Sequence, residues 1–85
     1  MNNSNGKNIP IVYLIYLHKF NRISFKNKLE VGKARTILTW LFRIPPNKVR
    51  NVFDEMEQHS LIKIQPGGQY LMIGESWCNF LKDFL

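Results

Sequence analysis

The sequence predicts one α+β domain, mainly helical, and three observations carry that expectation. Pro45-Pro46 separates two amphipathic runs, Pro66-Gly67-Gly68 separates two short runs rich in β-formers, and apolar residues recur at helical spacing elsewhere. At 85 residues the chain suffices for a single domain with a small core. Its 45% hydrophobic and 21% charged content is that of a globular protein rather than a disordered one.

The elements follow in order. Residues 1–8 lack apolar side chains after Met1 and are rich in Asn, so a mobile tail is expected there, with the domain covering 9–85. A first helix near 9–20 opens at Ile9-Pro10, and Ile11, Val12, Tyr13, Leu14, Ile15, Tyr16, Leu17 and Phe20 leave it almost no polar face. A helix apolar all round is covered on more than one side. Asn21 to Glu30 reads two ways: Ile23-Ser24-Phe25 alternates like a strand, while Asn27 and Glu30 have the spacing of a capping pair opening a helix. Ala34, Ile37, Leu38, Leu41 and Phe42 then mark a helix over 31–43, with Gly32 weakening its first turn.

Two consecutive prolines cannot sit inside a helix, but they fit where one ends and the next begins. Beyond them Val49, Val52, Phe53, Met56 and Leu61 form the apolar stripe of a helix over 46–59. Its other face carries Asn47, Lys48, Arg50, Asn51, Asp54 and Gln58. A polar, partly basic helix entered by a short turn from another helix is the geometry of a helix-turn-helix unit, whose second helix enters the DNA major groove. A hairpin over 62–73 follows, and Trp77, Phe80, Leu81, Phe84 and Leu85 predict an added C-terminal helix near 75–84.

Charge is unevenly distributed. Residues 1–53 hold ten Lys or Arg against Glu30 alone, a net +9, whereas residues 54–85 hold two Lys against five acids, a net −3, which together give the overall +6. A basic half beside a mildly acidic one suits a polyanion. Cys78 is the single cysteine, which excludes an internal disulfide and a Cys-based zinc site and makes the cytoplasm the expected compartment. Ile9 to Leu17 is too short for a membrane span and is not followed by a cleavage site.

The order helix, basic helix, turn, helix, hairpin resembles the winged helix-turn-helix family of DNA-binding proteins. Ile44-Pro45-Pro46-Asn47-Lys48-Val49 is similar to the turn of small bacterial and archaeal regulators, and Met56-Glu57-Gln58-His59-Ser60-Leu61-Ile62 is similar to their helix end. Small size and the Asn-, Lys- and Ile-rich composition also look like compact winged-helix proteins of archaeal viruses and plasmids. The resemblance implies sequence-specific binding of double-stranded DNA by a small transcription regulator. Two features depart from the pattern. Ser60 stands where the family has a left-handed glycine, so a different helix end is expected there, and the wing tip Gln65 to Gln69 carries no Lys or Arg.

For base reading the candidates are Asn47, Arg50 and Asn51, since Arg pairs bidentately with guanine and Asn with adenine. For phosphate they are Lys26, Lys28, Lys33, Arg35, Arg43, Lys48 and Lys63, with a solvated lysine-rich loop as the alternative for the first four. No enzyme, metal or cofactor is expected, because His18 and His59 lack partners at ligand or triad spacing and Cys78 lacks a nearby base. The aromatic residues, Trp40 among them, are expected in the core by their helical spacing rather than stacked on bases. A homodimer is expected through Tyr13, Tyr16, Trp77, Phe80, Leu81 and Phe84, because the first and last helices carry more apolar surface than the helix-turn-helix layer covers. The alternative function is a docking module for a replication or transcription assembly, with Asp54, Glu55 and Glu57 facing a protein partner, and a third is single-strand or RNA binding.

Overall fold

The computed structural model describes residues 9–74. The elements are α1 (Ile11–Ile23), β1 (Lys28–Glu30), α2 (Val31–Thr36), a π-helical turn continuing it (Ile37–Leu41), α3 (Pro46–Gln58), β2 (Ile62–Ile64) and β3 (Tyr70–Ile73). This is an α+β arrangement of three helices and a three-stranded antiparallel sheet, consistent with winged-helix topology. The expected helix over 75–84 and tail over 1–8 lie outside the described residues.

Pro10 stands immediately before α1, where a missing N–H costs nothing, and its carbonyl accepts from Tyr13 N–H at 3.0 Å. The helix runs to Ile23, past the expected end at residue 20, and stops where Ser24 N–H and Oγ both donate to the Asn21 carbonyl. Neither reading of 21–30 holds. Phe25 and Lys28 exchange backbone hydrogen bonds of 2.9 and 3.0 Å across Lys26 (φ 54°) and Asn27 (φ 64°), a two-residue reverse turn with both central residues left-handed. The strand lies after that turn, at Lys28–Glu30, and α2 starts directly from it without a side-chain cap. Its first donor is satisfied by the β2–β3 hairpin instead, Val31 N–H giving 2.9 Å to Gln69 O.

The register Lys28↔Met72↔Lys63 and Leu29↔Leu71↔Ile64 makes β3 the central strand. One face carries Leu29, Leu71, Ile62 and Ile73 into the core, and the other holds Lys28, Met72 and Lys63 in a row. Pro66 followed by Gly67 at φ 96° closes the hairpin through Gly68 N–H to Gln65 O at 2.9 Å, a turn that requires glycine at its third position. Tyr16, Leu17 and Phe20 of α1 meet Leu38, Val49, Phe53, Met56 and Leu61 over the sheet's inner face.

Two expectations about helix packing and ending are corrected. Leu41 shares the helical spacing that marks the helix over 31–43, yet it is 54% exposed: Phe42 N–H reaches back five residues to Ile37 O, and the extra residue in that wide turn carries Leu41 outward. Ser60 takes the left-handed conformation (φ 61°) in place of a glycine, so α3 ends as such helices ordinarily do. Ser60 N–H donates to Glu57 O and Leu61 N–H to Met56 O, both at 2.9 Å, while Leu61 packs into the core with Met56. Ser60→Gly is therefore expected to stabilise the fold by about 1 kcal/mol, raising Tm by roughly 4–8 °C in a thermal melt. An unchanged or lower Tm would contradict the account of that helix end.

Candidate nucleic-acid interface

The turn sets the position of α3. Pro45 is extended (φ −57°, ψ 140°), Pro46 is the first helical residue, and Lys48 N–H closes onto Pro45 O at 2.8 Å. Val49, Phe53 and Met56 are buried, fixing the rotation of the helix about its axis. Asn47, Lys48, Arg50 and Asn51 are consequently all exposed. Arg50 Nε lies 3.8 Å from Asp54 Oδ1, with the two side chains 85% and 52% exposed, a tether too wet to hold the guanidinium back from a stronger acceptor.

The phosphate candidates fall into separate groups. Lys48 is on α3 beside Asn47, Arg50 and Asn51. Lys28 and Lys63 share the outer face of the sheet across Met72. Lys28 Nζ sits 4.3 Å from the Tyr70 ring centre, and Lys26 Nζ lies 5.5 Å from that of Phe25. Lys28 and Lys33 line one cleft with Phe25 and Tyr70, and Arg35 and Arg43 line another beside the turn. Arg43 is itself left-handed (φ 59°) at the end of the π turn.

The three acids set against a protein partner are engaged at home. Asp54 faces Arg50, Glu55 accepts the Tyr13 hydroxyl at 3.1 Å, and Glu57 Oε2 accepts Ile64 N–H at 2.8 Å. Burial, then the hydrogen bond to Glu55 and the charge of that carboxylate, hold the Tyr13 hydroxyl above its ordinary value of 10.0.

The dimer set is corrected in part. Tyr16 is 8% exposed, packed 4.6 Å from the Phe42 ring within the domain, and Tyr13 is turned toward α3. The outward face of α1 belongs instead to Ile11, Val12 and Ile15. Trp77, Phe80, Leu81 and Phe84 lie outside the described residues. Trp40, expected in the core, is 78% exposed, and Phe25 is 76% exposed. The signal for Trp40 was its place two residues beyond buried Leu38, which on a helix is nearly the opposite side.

Among the described residues no group of three His, Cys, Asp or Glu side chains is placed to hold a metal ion, and no helix is long and apolar enough to cross a membrane. No family model matches this chain, and no curated protein or solved structure matches it significantly.

Proposed function

We propose that the chain is a winged helix-turn-helix protein that binds double-stranded DNA, a small transcription regulator that lays α3 in the major groove. The observation that carries this reading is the division of α3: Val49, Phe53 and Met56 lock one side into the core, and Asn47, Arg50 and Asn51 are exposed on the other. Arg and Asn are the side chains that read guanine and adenine edges, and they occupy the first turns of the helix, the end that approaches bases. Exposed cations on the sheet and on α2 would set its register on the backbone. The docking alternative is the poorer reading, since Glu55 and Glu57 are committed as acceptors inside the domain.

The test is a titration of the full chain against selected and random duplexes at rising salt. If five of the candidate cations meet phosphates, affinity falls by about 10²–10³-fold between roughly 50 and 200 mM salt. Absence of duplex binding at the lower salt, or binding indifferent to salt, sinks the reading.

A two-fold dimer is part of the same proposal. Ile11, Val12 and Ile15 leave 67%, 38% and 49% of their surface open on one side of α1, a patch that pairing with its own copy would close. Two recognition helices about 34 Å apart would then read an inverted repeat. Sedimentation at micromolar protein is expected to give a two-chain mass that Ile15→Glu reduces to one; a single-chain mass for both proteins would eliminate the dimer and the palindrome.

A further inference from the structure

An open groove of about 730 Å³ runs between α2 and the start of α3. Trp40, Ile44, Pro45 and Pro46 give it an apolar floor, and Arg35 and Arg43 stand along it. The wide turn Ile37–Leu41 presents Trp40 here with 78% of its surface open. Turns of this kind concentrate at functional sites. The open indole offers a broad flat face on which another flat group can stack.

The chemistry of the groove narrows its occupant. Its lining contains no carboxylate, and neither arginine makes an ion pair among the described residues, so both guanidinium groups are available to an anion. Thr36 and Thr39 also line it, but their hydroxyls donate back to helix carbonyls, Thr36 to Gly32 at 3.0 Å and Thr39 to Arg35 and Thr36 at 3.0 and 3.2 Å. The donors left for a ligand are therefore the guanidinium groups and the indole N–H. Flat apolar surfaces joined by anionic links fit such a floor and flank. In a duplex the base faces are hidden in the stack, whereas an unpaired strand offers them.

We propose that this groove is a stacking site for unpaired nucleotides: a base lies on the Trp40 indole and its flanking phosphates meet Arg35 and Arg43. Pro46 opens α3 immediately before Asn47, so the site adjoins the end of the helix assigned to duplex reading. The preferred substrate is then a duplex that continues into a single strand, an inference that rests on the duplex reading for this pairing of sites but not for the stacking itself.

The full chain carrying Trp77→Phe has Trp40 as its one indole. An oligothymidylate of about twelve nucleotides is expected to quench its fluorescence, and a blunt duplex is not. By anisotropy of labelled DNA, a duplex with an overhang of about four nucleotides should bind roughly tenfold tighter than the blunt duplex; Trp40→Ala should abolish that difference and leave blunt binding unchanged, while Trp40→Phe should keep most of it. The proposal is overturned if oligothymidylate fails to quench Trp40, if the overhang preference survives Trp40→Ala, or if an oligoglutamate peptide quenches as well as the nucleotide strand does. Quenching by oligothymidylate with no binding of blunt duplex would refute the duplex reading and uphold the stacking site. Blunt-duplex binding without quenching by oligothymidylate would refute the stacking site alone.

Discussion

Phe20→Ala is expected to destabilise the domain by about 3–5 kcal/mol, the range for deleting a large aromatic side chain from a packed interior. Phe20 has no solvent exposure and meets Phe53 at a ring-centre distance of 6.5 Å, so it ties α1 to the very helix whose outward face is assigned to DNA. A domain of this size has a total stability of the same order, roughly 4–13 kcal/mol at about 0.05–0.15 per residue. The variant should therefore be largely unfolded or melt far below the parent. Phe25→Ala is the control: at 76% exposure it should change stability by less than about 0.5 kcal/mol. Equal losses from the two in urea unfolding would contradict the assigned core.

Arg50→Ala and Lys33→Ala should weaken DNA binding in different ways. If Arg50 is bidentate to guanine, its loss costs about 1–3 kcal/mol and relaxes preference at one position of the site. Lys33, exposed in the first turn of α2, should instead weaken all sequences alike and lower the salt slope by about one. Binding to a set of single-base variants of the selected duplex separates the two. A uniform loss from Arg50→Ala would make it a phosphate contact, and no loss from either substitution would transfer the function to protein docking.

What was legible in the sequence was what local chemistry decides. Pro45-Pro46 could only be a helix boundary, Val49, Phe53 and Met56 fixed a helical face, and Pro66-Gly67 fixed a tight turn. The candidate base-reading residues followed from that face alone, and all three are exposed. Long-range pairing was not legible. Lys28–Glu30 is a strand because β3, some forty residues later, lies beside it, and nothing within 21–30 records that. The wide turn at Ile37–Leu41 also escaped, since its residues keep ordinary helical spacing in sequence while the backbone admits one more per turn. The groove at Trp40 was hidden for a related reason: an aromatic residue in an apolar run reads as core until the rotation of the helix is known. At Ser60 a propensity rule was overruled, because Leu61 and Met56, both fully buried, secure the helix end.

The central place of β3 has a consequence for how the molecule assembles. Its pairing with β2 joins Ile64 to Leu71 across a short turn, but its pairing with β1 brings together Lys28 and Met72, about 44 residues apart. Closing the longer loop costs roughly 1.5 kcal/mol more chain entropy than closing the shorter one. The hairpin can form early from its own residues, whereas β1 docks only when α2 and α3 have folded the intervening chain back on itself. Lys26 and Asn27, the left-handed pair that turns the chain into β1, therefore aim a three-residue segment at a partner strand about 44 residues further along the chain.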